Sequence, residues 1–313
     1  MLRSDRSIAR RKIAIRNSTR SLHLMMLPSV VLLLIFAYIP MAGIVIGFQD
    51  FDVINLARGY GFFGSDWIGF DNFLRVWNMP GSIQALRNTV NIAFWRIVTM
   101  LIIPIIVSLL LNEVRKNYVK RTIQTLVYLP YFLSWVILGG VLRNVLGAHG
   151  IVNQMIQAMG FESISFLGDP NIFPWTIIWS NVWQNFGFST IVFLAAITGI
   201  DPSLYEAAVI DGASRWKQTW HVTLPGMRPI IVLSMVLSLG QILNAGFDQI
   251  FNLYSVPVYE TGDIIDTFIF RLGIGQGEFG VATAVGLFRS LVALLFISVS
   301  YWGAKKFAGY EIF

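Results

Sequence analysis

The sequence contains no cysteine, which excludes disulfides, thiolate metal sites and cysteine nucleophiles. Histidine is nearly as scarce: His23, His149 and His221 lie far apart along the chain and compose no metal-ligand cluster. Only 13% of the 313 residues are charged, too few to cover a soluble domain of this size. No internal repeat and no low-complexity tract is visible. The phosphate-loop pattern GxxxxGK(S/T) is also missing, and the glycine-rich run at 273–280 does not supply it. The chain is therefore expected to bind no nucleotide, metal or other cofactor itself.

What is present is apolar. Hydrophobic residues make up 55% of the chain and the mean hydropathy is +0.65, the composition of an integral membrane protein. Six runs are long enough to cross a bilayer: 24–48, 89–111, 122–142, 172–197, 230–253 and 281–304. Each holds about 20 residues or more, enough at 1.5 Å rise to span a ~30 Å hydrocarbon core. A basic tail precedes them, with seven cations against Asp5 in residues 1–23. The first run is too long for a signal-peptide core and lacks a small-residue cleavage site, so it is expected to remain as a span kinked at Pro28 and Pro40.

Six spans place both termini on one side. With the two tails, 112–121 and 198–229 on that side, it carries 16 cations and 6 carboxylates, against 7 and 11 elsewhere. The positive-inside rule makes it cytoplasmic. This distribution accounts for the net charge of +6 without invoking nucleic acid. The domain reading is a basic tail at 1–23, a six-span domain at 24–306 and a short cytoplasmic tail at 307–313.

Within the cytoplasmic segments, 201–229 stands out as a polar island between two apolar runs. Asp201 suits an N-cap and Pro202 the first helical position, and Leu204, Ala207, Ala208 and Ile210 supply an apolar face. Gly212 breaks the helix. Ser214 can cap a second one carrying Trp216, Trp220 and Val222, expected to end at Pro225.

The pattern Glu206-Ala207-Ala208, Asp211-Gly212-Ala213, Leu224-Pro225 resembles the EAA signature of permease subunits of type I ABC importers. The resemblance implies an all-α, six-span integral membrane fold of the MetI-like kind, in the plasma (inner) membrane of a bacterium. It also implies that the first short helix of the loop is a coupling helix docking on a cytoplasmic ATPase. The implied partners are a second permease, more often different than identical, two ATPases that bind ATP and Mg, and an extracytoplasmic binding protein. Small alanines permit close approach, Glu206 offers a charge to pair, and Gly212 permits the turn.

Other stretches narrow the resemblance. WIGFDNF at 67–73 and Arg87-Asn88-Thr89 resemble carbohydrate permeases of this superfamily. The run at 258–280, with NAGFDQIF at 244–251 and ATAVGLFRS at 282–290, resembles permeases for complex oligosaccharides, including importers of alginate and pectin fragments. Residues 150–160 read as a short amphipathic helix on the outer surface. The outer-loop acids Glu260, Asp263 and Asp266 read as solvated or as contacts for the binding protein.

Polar groups inside a membrane require explanation. Arg96, Asn181, Gln184, Asn185, Gln241, Asn244, Asp248 and Arg289 fall about 8–20 Å from the outer ends of their runs at 1.5 Å per residue. With Tyr131 and Trp135, five runs contribute to one depth band. Gln241, Asn244 and Asp248 are spaced to share one helical face, as are Asn181, Gln184 and Asn185. One reading is a sugar pathway, with amides for hydroxyls, aromatic rings for sugar faces, and Arg96 and Arg289 for an acidic sugar. The other is interhelical hydrogen bonding, with Asp248 paired to an arginine. An oligosaccharide importer subunit is the leading function, its substrate acidic or, alternatively, neutral. An ion-coupled secondary transporter would need inverted repeats, and a glycan-processing enzyme would need paired carboxylates at one depth.

Overall fold

The structure is a computed structural model that describes residues 22–54, 58 and 64–308. Most of the basic tail at 1–23, and residues 309–313 of the C-terminal tail, lie outside the described residues. The described chain is helical, its one β feature an isolated bridge between Gln49 and Trp67.

The chain divides into two compact units, up to Asn72 and from Phe73 onward. The first is built on α1, Leu22–Phe48. Pro28 lies within an unbroken α-helical stretch, contrary to the expected kink. Pro40 does mark a change: a π turn at Leu34–Tyr38 precedes it, and the helix tightens to 3-10 over Ala42–Phe48. Proline lacks the amide that would continue the ladder, and such adjustments absorb the loss. The WIGFDNF stretch closes back on this helix end. Phe48 stacks on Trp67 at 5.6 Å, and the Asn72 amide donates to the carbonyls of Gly47 (3.1 Å) and Gln49 (2.9 Å).

The second unit takes in most of α2 (Asp71–Asn78) and then α3 (Ser82–Glu113), α4 (Asn117–Tyr128), α5 (Trp135–Leu146), α6 (Ile151–Ala158), α7 (Phe173–Thr198) and α8 (Pro202–Ile210). It continues with α9 (Arg215–Leu239), α10 (Phe247–Leu253), α11 (Ile265–Phe270) and α12 (Phe279–Ala308). Helices α3 and α7 share the most extensive packing. Around them Ile92, Phe173, Ile177, Ile250, Val258 and Ile264 form a buried core.

Among the described residues, five helices are long and apolar enough to cross a membrane: Leu22–Phe48, Ser82–Glu113, Trp135–Ala158, Arg215–Leu239 and Phe279–Val299. The 135–158 stretch is itself the pair α5 and α6. A sixth span results if α7 is counted with α8, bent from it by 67°. Helix α7 falls short alone because it carries Asn181, Gln184 and Asn185.

Two expected spans are not single helices. The run at 122–142 is interrupted between α4 and α5 by a 3-10 turn at Leu129–Phe132, and Ser134 caps the restart by accepting from the Ile137 amide (3.4 Å). Pro130 supplies the cause, since it has no amide to donate. The run at 230–253 breaks between α9 and α10, where residues 240–246 are turn and coil and Gly246 has φ +88°. Both stretches are apolar on average, so hydropathy over the whole run does not register a break.

Candidate functional site

Each interruption leaves backbone carbonyls without intrahelical donors, and in an apolar surrounding these must be satisfied from elsewhere. At the first break, the Gln184 amide of α7 donates to the Leu133 carbonyl (2.9 Å) while its own oxygen accepts from Asn185 (3.1 Å). Asn185 also donates to the Asn181 carbonyl (3.0 Å). The predicted amide cluster of α7 is thus partly a splint for its neighbour. Tyr131, at the same break, stacks on Phe188 at 4.2 Å, and Trp135 packs on the buried core.

At the second break the two predicted arginines converge. Arg96 of α3 donates to the Ala245 carbonyl, and Arg289 of α12 donates to the Leu243 carbonyl (3.1 Å). Gly246 is held to glycine by its backbone, and it abuts the end of the Arg96 side chain. Its φ is positive, and a β-carbon there would lie 2.3 Å from the Arg96 guanidinium. The break also overturns the shared helical face expected for Gln241, Asn244 and Asp248. Gln241 and Asn244 lie in the unwound stretch, whereas Asp248 is exposed on α10.

Two cavities flank the unwound stretch. One, of 150 Å³, is lined by Ala93, Arg96, Asn181, Gln241 and Asn244, among others. The other, of 180 Å³, is lined by Gln241, Asn244, Arg289 and Ser290 with their neighbours. Five of the ten predicted pathway residues therefore meet around one segment, with Gln241 and Asn244 facing both spaces. Gln184, Asn185, Tyr131, Trp135 and Asp248 line neither.

The outer-loop acids are not all solvated as expected. Asp263 is buried, accepting from Arg271 (2.5 Å) and from the Thr267 hydroxyl (2.7 Å). Asp266 pairs with Arg289 at 3.1 Å. Burial raises the Asp266 carboxyl above the ordinary aspartate range, and Arg289 opposes that shift. Glu260 alone of the three is exposed. The Arg87-Asn88-Thr89 stretch anchors this loop. Asn88 donates to the carbonyls of Glu260 and Asp263 (both 3.0 Å), and the Thr89 hydroxyl accepts from the Ile265 amide (2.8 Å).

Sequence reasoning missed Gln249 and Arg143. Gln249, fully buried on α10, donates to the Ile177 carbonyl (2.7 Å) and to Ser180 (2.9 Å). Arg143 donates to the Asn252 carbonyl (2.6 Å). A glutamine two residues before Phe251 in an apolar run was the available signal for the first.

The loop at 201–229 follows its sequence closely. Asp201 accepts from the Ser203 amide (2.9 Å), an interaction that lowers its carboxyl below the usual range. Helix α8 ends before Gly212, whose φ is +76°. Ser214 caps the next helix through the Lys217 amide (3.4 Å). Pro225, however, does not end that helix. A π turn at Thr219–Thr223 absorbs the missing amide, and α9 runs on to Leu239. Helix α8 leaves Glu206, Ala207 and Asp211 exposed and Ala208 and Ala213 half-buried, beside an apolar surface with Val209 62% and Ile210 86% exposed.

Residues 100–305 match the profile of the family described as "Binding-protein-dependent transport system inner membrane component". The polygalacturonan/rhamnogalacturonan transport system permease protein YteP of Bacillus subtilis (strain 168) is 40% identical over 91% of this chain and 88% of its own length. Protein LplB of the same organism is 39% identical, covering 91% and 89%. Among solved structures, a chain of a bacterial ABC transporter involved in the import of the acidic polysaccharide alginate superposes with a TM-score of 0.86 at 36% identity. That match covers 95% of this chain and 99% of the other. A second structure of such a transporter, in complex with an alginate pentasaccharide-bound periplasmic protein, gives 0.85 at 35% identity, covering 95% and 98%. The break-spanning helices and the exposed helical hairpin are accordingly those of a transport subunit rather than an enzyme, and the chain belongs to the inner membrane components of binding-protein-dependent transport systems.

Proposed function

We propose that this chain is one of two different permease subunits of a bacterial plasma-membrane importer for acidic oligosaccharides, which an extracytoplasmic binding protein delivers. Two separate ATPases, holding ATP and Mg, dock on α8 from the cytoplasm, where the positive-inside count puts both termini. ATP binding closes the ATPases and, through Glu206 and Asp211, swings the pore from inward-open to outward-open; hydrolysis resets it. The sugar passes the unwound stretch at 240–246, where Gln241 and Asn244 offer amides to its hydroxyls. The observation that carries this reading is the convergence of Arg96, Asn181, Gln241, Asn244 and Arg289 on two cavities beside one break. The relatives that transport polygalacturonan and the alginate transporter structures support the acidic class.

The experiment is ATPase activity of the reconstituted complex with its binding protein, comparing acidic oligosaccharides from pectin and alginate with neutral ones of equal length. Stimulation by the acidic set alone is expected. Stimulation by neutral sugars alone would overturn the substrate class, and stimulation by neither would overturn the oligosaccharide reading. Asn244→Ala should lower uptake at least about tenfold, in line with the loss of one or two buried hydrogen bonds, without disturbing assembly with the ATPases.

A further inference from the structure

The two arginines at the break are not equivalent. Arg289 is an internally neutralised cation: Asp266 lies at 3.1 Å, and the same guanidinium also donates to the Leu243 carbonyl. Arg271 is likewise matched by Asp263. Among the described residues the ion pairs are those two and the exposed Glu113–Arg215 pair, and none includes Arg96. The bond from Arg96 to the Ala245 carbonyl satisfies one N–H of its guanidinium. A carbonyl dipole leaves the positive charge itself uncompensated. A cation held within a membrane-spanning helix without a carboxylate is strongly disfavoured unless a counter-charge arrives or water reaches it.

Arg96 also lines a space. The 150 Å³ cavity that it shares with Asn181, Gln241 and Asn244 offers the complement of a sugar acid: amide donors and acceptors for hydroxyls beside one planar cationic fork. Guanidinium and carboxylate match in a bidentate geometry that a hydroxyl cannot reproduce. Building on the oligosaccharide reading above, we infer that Arg96 reads the charge of the translocated sugar, serving as counter-ion to a substrate carboxylate in the cavity formed with Asn181, Gln241 and Asn244, while Arg289 takes no part in charge selection. Gly246 belongs to the same device, because a side chain there would displace the guanidinium.

The test uses the complete reconstituted transporter with its binding protein and two substrates, trigalacturonate and its fully methyl-esterified form, a neutral trisaccharide of nearly the same shape. The affinity of the binding protein for each is measured separately, each is supplied at a concentration that fully loads the binding protein, and the loaded binding protein is then titrated against the transporter. The readout is the acid-to-ester ratio of kcat/KM for stimulated ATPase, which a purely structural role would not move. Arg96→Gln is expected to lower that ratio about 10- to 100-fold, the weight of one charge-assisted pair. Arg96→Lys should restore part of it, and Arg289→Gln combined with Asp266→Asn, which removes the neutralised pair without baring a carboxylate, should leave it within about twofold of wild type. Asn244→Asp retains Arg96 and its bond to the Ala245 carbonyl but introduces a competing carboxylate, so it too should lower the ratio.

An unchanged ratio in both Arg96→Gln and Asn244→Asp overturns the inference and leaves the importer reading intact. Should Arg96→Gln fail to assemble, Asn244→Asp decides alone by the same criterion. A ratio that falls equally in the paired Arg289→Gln, Asp266→Asn variant overturns the division of labour. A wild-type complex stimulated by neither trisaccharide removes the oligosaccharide reading and this inference with it.

Discussion

At the scale of single residues, three glycines separate backbone strain from steric contact. At Gly212 no atom would lie within 4 Å of an added β-carbon, yet φ is +76°. At Gly187 φ is not unusual, but the added carbon would sit 2.0 Å from the Val127 carbonyl oxygen of α4. Gly246 combines both problems. Gly212→Ala is therefore expected to destabilise by about 1 kcal/mol through strain alone, and Gly187→Ala by about 1–3 kcal/mol because two helices must separate. Thermal unfolding of the purified complex would rank them, and equal shifts would mean that the α4–α7 contact yields without penalty. Gly212 was legible in the sequence because its demand is local, a turn between two capped helices. Gly187 and Gly246 were not, since in each case the crowding atom belongs to a distant part of the chain. The same holds for Arg289, whose partner Asp266 lies 23 residues away in a segment that reads as an external loop.

At the scale of elements, hydropathy located the apolar runs and missed the breaks within two of them. A run such as 230–253 stays apolar whether or not its backbone is continuous, so only Gly240, Gly246 and the polar residues between them hinted at the interruption. What fixes the interruption is the supply of donors from other helices, and pairings at separations of 46 to 149 residues cannot be read from periodicity. The anchoring of the outer loop follows the same rule. Asn88→Ala would leave the Asp263 carbonyl without its side-chain donor and the Glu260 carbonyl with one of its two, with an expected loss of about 1–3 kcal/mol. Hydrogen exchange across 258–266 should accelerate in that variant while exchange in α7 does not. Protection unchanged throughout would show that Gln84, which donates to the same Glu260 carbonyl at 2.7 Å, suffices. The predicted role of Gln184 shifts for a related reason: its amide holds the Leu133 carbonyl, so Gln184→Ala should lower stability more than it alters substrate preference.

At the scale of the whole molecule, the hairpin at 201–229 was the most legible part of the chain, because its caps, its turn and its charge all lie within 30 residues. Glu206→Lys inverts an exposed charge on a surface that the fold leaves uncovered. It is expected to leave the complex assembled, abolish uptake, and leave ATP hydrolysis running without substrate dependence. Normal uptake in an assembled Glu206→Lys complex would count against α8 as the point of force transfer. The pathway was legible only as a set of residue types at one depth. Which of them face a cavity and which brace a neighbour depends on tertiary pairing. The break at 240–246 has one further consequence, for biosynthesis. Its two carbonyl clamps come from α3, made well before it, and from α12, made after it. Until α12 has entered the bilayer, the Leu243 carbonyl lacks its donor and Asp266 its counter-charge, so the unwound segment cannot rest stably among lipids. A nascent chain stalled before α12 is thus expected to hold this break with one of its two clamps missing.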